Sequence, residues 1–201
     1  MFDLIKRLFA LIPTAEAHCD TADGPAVADG RRALESGNLN HALKWIPADG
    51  EAELRQVFDK AMVVRKLGVE AAEVADRLFL ETLVRIHRMA EGVGFTGIQG
   101  PGAEVEPVVV AADRALEDGD LEPLRALVPA DRFDELAARF ELARAKRDFA
   151  VDDVAAGRDF IAAYVSYFKY AEGEDHDHGH HHNAEHHDHD HGHDHGHGQH
   201  A

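Results

Sequence analysis

The chain has 201 residues with 21 basic and 38 acidic side chains, a formal net charge of -17 with histidine neutral. That balance excludes nucleic acid as a main partner, because phosphate affinity rests on concentrated lysine and arginine. An apolar share of 45% is enough for one packed core, no apolar run is long enough to span a membrane as a helix, and a single cysteine excludes an internal disulfide framework.

Residues 1–17 read MFDLIKRLFALIPTAEA: Lys6 and Arg7, then apolar Leu8 to Ile12, then Ala15-Glu16-Ala17. Basic, apolar and small-residue regions in this order read as a cleavable leader, removed by a leader-processing peptidase, and predict an exported protein, periplasmic or extracellular. The alternatives are an amphipathic helix that stays on the chain and a propeptide removed in the cytoplasm. Cleavage after Ala17 leaves His18-Cys19 at the new N-terminus. Its amine, the His18 imidazole, the Cys19 amide once deprotonated and the Cys19 thiolate can all face one metal ion. That nitrogen and sulfur set suits nickel or copper. Asp20 and Asp23 follow in the same stretch, His-Cys-Asp-x-x-Asp-Gly. The plain alternative is that Asp20 or Asp23 caps the helix beginning at Pro25 and Cys19 is a small buried residue.

His18-Cys19-Asp20, with Gly24 following, resembles the N-terminal hook of nickel superoxide dismutase, a four-helix bundle whose propeptide is removed to free its histidine and cysteine. The resemblance implies that His18 supplies amine and imidazole, that Cys19 supplies amide and thiolate, and that superoxide is the substrate. The second cysteine of that family falls on Asp23 and its tyrosine on Ala26, which leaves one thiolate here instead of two. Over nearly the whole body, through HCDTADGP, VRKLGVEAAEVADR, ETLVRIHRMAEG and FTGI, the chain is more closely similar to a family of uncharacterised bacterial proteins.

The body, 18–173, contains an internal duplication. Arg32-Ala33-Leu34-Glu35-Ser36-Gly37-Asn38-Leu39 returns as Arg114-Ala115-Leu116-Glu117-Asp118-Gly119-Asp120-Leu121, an offset of 82 that also relates Pro25 to Pro107, Pro47 to Pro129, Phe58 to Phe140 and Arg65 to Arg147. Near the end the offset slips by one, where Ala90-Glu91-Gly92 answers Ala171-Glu172-Gly173. Repeat one is 18–92, a glycine-rich linker covers 93–105 and repeat two is 106–173.

Pro25 and Pro107 suit the first turn of a helix, and Gly37 and Gly119 its stop. Short helices are expected near 39–45 and 121–127. Leu54, Val57, Phe58, Ala61 and Val64 then follow the three-four spacing of an amphipathic helix, as do Ala72, Ala75, Phe79, Leu83, Ile86 and Ala90. Phe133, Leu136, Phe140 and Ala143, then Phe160, Tyr164, Val165 and Phe168, do the same. The fold predicted is all-α, an antiparallel four-helix bundle built from two copies of a helical repeat with shorter helices packed on it.

His87 borders the apolar face of its helix with Glu91 one turn on. It reads either as a half-buried histidine paired to a carboxylate or as a ligand or proton donor near the hook. The offset of 82 gives it Lys169 as counterpart. His41, on a short helix, reads as a surface residue.

Residues 174–201 hold His176, His178, His180, His181, His182, His186, His187, His189, His191, His193, His195, His197 and His200 among seven acidic residues, with no lysine or arginine. Such a segment builds no core and is expected to be disordered without metal. Its imidazoles offer weak, multivalent binding to further divalent ions, Ni, Zn or Cu. Two functions follow: a superoxide dismutase-like metalloprotein using nickel or copper at the hook, or an extracytoplasmic carrier or buffer of metal ions without catalysis. A homo-oligomer is compatible with either.

Overall fold

Proline and glycine bound the opening helix of each copy. The computed structural model describes residues 21–100 and 106–173. Helix α1 (Pro25–Ser36) and helix α5 (Pro107–Asp118) both begin on the predicted proline, whose fixed φ suits the first turn. They end at Gly37 and Gly119, at φ of 72° and 75°, whose N–H groups return to the carbonyls of Ala33 and Ala115. Side chains other than glycine are disfavoured in that left-handed conformation, so both stops are written in the sequence. Asp23 does not cap α1. The capping position is Gly24, without a side-chain hydrogen bond.

After α1 come a single-turn helix α2 (Asn40–Leu43), α3 (Glu51–Val64) and α4 (Val69–Ala90). After α5 come a short 3-10 turn (Glu122–Ala126), α6 (Phe133–Lys146) and α7 (Val154–Ala171). The protein is all-α and its helices pack as a bundle; among the described residues the one bridge of β type joins Thr21 to Gln99.

The four longer helices form two antiparallel hairpins. In the first, Glu53 pairs with Arg85 and the Phe58 ring meets Phe79 at 5.4 Å. In the second, Arg139 reaches Ser166 and Lys146 pairs with Asp159. Leu54, Phe79 and Leu83 of the first hairpin and Leu136, Phe140 and Tyr167 of the second belong to one continuous core, each contributing about 1.5–3 kcal/mol through burial. Burial, with Asp113 adding to it, raises the Tyr167 phenol far above its ordinary pKa. Helix α1 lies close on α4 because residue 30 is glycine: a Cβ there would stand 2.6 Å from Leu80 and 2.9 Å from Leu83. The same signature closes both copies, with Arg65 donating to the Leu34 carbonyl at 2.5 Å and Arg147 to the Leu116 carbonyl at 2.7 Å.

Some details differ from expectation. Ala90 is exposed and Ala72 only half-buried. The one-residue slip falls in the loops before α4 and α7, since a regular helix cannot absorb it. His87 therefore corresponds to Phe168, not to Lys169.

The two copies meet along a seam. The α2 segment of the first copy lies on the start of α7. Asn38 and Asn40 donate to Asp152 at 3.2 and 2.9 Å, and this pair of hydrogen bonds lowers the Asp152 pKa. Arg158 donates to the Ile46 carbonyl at 2.9 Å and to Glu51 at 2.5 Å. Lys44 lies over the Phe149 ring, and Trp45 meets Tyr164 edge to face at 6.1 Å.

Candidate functional site

A buried polar cluster distinguishes the first copy. Asp29, on α1, is 5% exposed. Its carboxylate accepts from the Trp45 indole N–H at 2.8 Å and pairs with Lys44 at 2.8 Å and Arg32 at 3.0 Å. A carboxylate shut away from water needs such partners, or it would be protonated or expelled. The second copy has Ala111, Ala126 and Leu127 where the first has Asp29, Lys44 and Trp45. The repeat therefore folds without the cluster.

His87 sits behind Trp45, its ring edge-on to the indole at 5.6 Å, and is 3% exposed. Its Nδ1 lies 2.9 Å from the Trp45 carbonyl, which can only accept, so Nδ1 carries the proton. Nε2 makes no hydrogen bond and stands 3.9 Å from a Glu91 oxygen. Lys169, from α7, lies 3.9 Å from the other Glu91 oxygen. Burial pushes the His87 pKa below its ordinary value; Glu91 and the Trp45 carbonyl oppose this, while Arg88 and Lys169 add to it. His87 is thus a neutral imidazole with a free lone pair, able to take up one proton against a nearby carboxylate.

The root of the proposed hook lies toward the same end of the molecule. The Ala22 N–H donates to the Gln99 carbonyl at 3.0 Å, and the Ala22 carbonyl accepts from Arg31 at 2.6 Å. Because Gly30 faces Leu80 and Leu83 and α1 runs antiparallel to α4, the five residues back to Pro25 and the few onward to His87 each span about 8 Å at 1.5 Å per residue. Residues 21–24 are therefore level with the His87 end of α4. Beside α1 is a groove of about 380 Å³, floored by Val27, Leu34, Leu80 and Ile98 and rimmed by Arg31 and Arg77.

Of the residues singled out in the sequence, the structure brings together His87 and Glu91. Asp23 is exposed on the turn before α1, and His41 is half-buried on α2. His18, Cys19, Asp20, the leader and the tail histidines lie outside the described residues. Among the described residues no three His, Cys, Asp or Glu side chains gather in a metal-binding group, and no helix is long and apolar enough to cross a membrane. Asp29, Lys44 and Trp45 escaped the reading by motif. Comparing the two copies at the offset of 82 exposes them, as positions where a polar or aromatic residue has an alanine or leucine counterpart.

These features define an all-α protein made of two helical repeats, one of them carrying a buried polar cluster. The chain belongs to a family of unknown function, DUF6448, which matches it over residues 23–170. No curated protein and no solved structure matches it.

Proposed function

We propose that this is an exported metalloprotein of superoxide dismutase type, in which cleavage after Ala17 frees His18 and Cys19 to hold nickel or copper. The observation that carries the proposal is the fixed root of the hook. Cys19 is two residues from Thr21, whose segment is tied to Gln99 and Arg31 at the end of α4 that carries His87 and Glu91. The donor set fits such an ion: His18 would give amine and imidazole, Cys19 amide and thiolate, and exposed Asp23 a carboxylate, with Asp20 alongside. The ion would supply a one-electron couple. Dismutation consumes two protons per pair of superoxide ions, and the His87 Nε2, facing Glu91, is a protein site able to hold one of them. The body's acidity argues against strong electrostatic capture of an anion, so the rate should fall below the diffusion ceiling.

A second reading rests on the tail. Thirteen histidines interleaved with aspartate suit a carrier or buffer of nickel, zinc or copper, for which affinity suffices. One set of measurements separates the two. The native protein should begin at His18 by N-terminal sequencing, and truncation after Gly173 should reduce bound metal while leaving one tight site. The processed protein loaded with nickel or copper should dismutate superoxide, and Cys19→Ser should abolish the activity. Activity no faster than that of Cys19→Ser would leave the carrier reading in its place, and loss of the last metal ion on truncation would make the tail the principal site.

A further inference from the structure

The seam holds two oxidisable rings that the repeat does not require. Trp45 of the first copy and Tyr164 of the second stand edge to face at 6.1 Å between ring centres, 5% and 7% exposed. Packing alone is served by aliphatic side chains: the counterparts of these rings are Leu127 and, through the slip, Leu83. Each ring also turns its polar hydrogen onto a carboxylate at 2.8 Å, the Trp45 indole N–H onto Asp29 and the Tyr164 hydroxyl onto Asp113. The counterparts of those carboxylates are Ala111 and Arg31. Four departures from the shared repeat therefore meet at one place. Asp29 shares its oxygens with Lys44 and Arg32, whereas Asp113 is half-buried, so that a proton placed on it can pass to water.

We infer that Trp45 and Tyr164 form a one-electron relay, in which an oxidising equivalent that reaches Trp45 is passed to Tyr164 and held there as a phenoxyl radical. A one-electron oxidant, an oxidised metal ion or an oxidising radical, takes one electron from the indole and leaves its radical cation. The Tyr164 ring then gives one electron to the indole across the ring contact, and the phenol proton moves to Asp113. Trp45 is restored. The net change is one electron lost from Tyr164 to the oxidant and one proton gained by Asp113. Loss of the proton directs the step towards tyrosine, because a phenol that keeps its proton is harder to oxidise than an indole. Tyr167, in the same core, cannot take the place of Tyr164: its hydroxyl donates to the Ala112 carbonyl at 3.3 Å, which accepts no proton. The relay needs no particular source of oxidant and so stands apart from the hook.

Flash photolysis of the full chain tests this, using light absorbed by tryptophan alone and a scavenger for the ejected electron. Trp45 is the only tryptophan, so the indole radical has one origin. Its absorption should decay at a rate independent of protein concentration, while phenoxyl absorption rises at the same rate. Tyr164→Phe, which keeps the ring, should abolish the rise and lengthen the life of the indole radical, and Tyr167→Phe should leave both unchanged. Asp113→Asn should slow the transfer about tenfold or more, the worth of a hydrogen bond to a charged group. A wild type whose indole radical decays without a phenoxyl rise overturns the inference whatever the variants do. So do a rate that climbs with concentration, a phenoxyl signal that survives Tyr164→Phe, and an Asp113→Asn variant as fast as the wild type.

Discussion

Replacing Asp29 with alanine tests the polar cluster, because the protein contains its own control in Ala111. The carboxylate is 5% exposed and holds three groups of unequal weight. Arg32, with a side chain 67% exposed, loses little on release, since exposed ion pairs are worth well under 1 kcal/mol in most cases. The indole N–H of Trp45 is buried, and leaving it without an acceptor costs about 1–3 kcal/mol. Lys44 is 15% exposed, so its ammonium becomes a largely desolvated charge without a counterion. Breaking one side of a buried pair costs about 3–5 kcal/mol, and the partial access of Lys44 to water places the total near the lower bound, about 3 kcal/mol. At roughly 2–4 °C per kcal/mol for a chain of this length, Asp29→Ala should lower Tm by about 6–12 °C. Lys44→Ala, which copies Ala126, should recover about 1–2 kcal/mol in that background by removing the stranded charge. Urea denaturation followed by the fluorescence of Trp45, the only tryptophan, reads both values. A loss below about 1 kcal/mol, or a double variant with the full sum of the single losses, would refute the reasoning.

Two further predictions concern the same region. Burial lowers the His87 pKa, so the unfolded chain takes up the proton first as acid is added; stability is fully present above about pH 6.5, the unfolded value, and is lost below it. His87→Phe, copying Phe168, should flatten that part of the stability profile, and a profile as steep as the wild type's would exclude His87 as its source. A Cβ at Gly157 would stand 2.9 Å from the Lys44 Cβ and 3.1 Å from Phe149. Gly157→Ala should therefore cost about 1–3 kcal/mol by overpacking the seam, measured by denaturation, whereas a neutral result would mean that the seam has room to open.

The architecture was legible in the sequence because the duplication doubled every signal: Pro25 and Pro107, Gly37 and Gly119, Arg65 and Arg147 each support the other. The site was less so. His87 and Glu91 are one helical turn apart, which spacing alone reveals. Asp29 and Trp45 meet because the chain after Gly37 folds back and packs its α2 segment on α1, a contact that no local pattern encodes. The burial of Asp29 also runs against residue-type preference, and only its pairing with Lys44 and the indole permits it. The constant offset pairs His87 with Lys169, whereas the structure pairs it with Phe168, because the slipped residue lies in a loop, where sequence pattern is weakest.

The bridge between Thr21 and Gln99 sets the beginning of the first repeat beside the linker that leaves it. A unit whose entrance and exit adjoin can be repeated in series without threading or long connections, and a cut made there should separate one bead from the next. Here the bead would come away with Trp45 newly uncovered. Gene duplication of such a unit is topologically free, whereas reversing it would strand an indole in water.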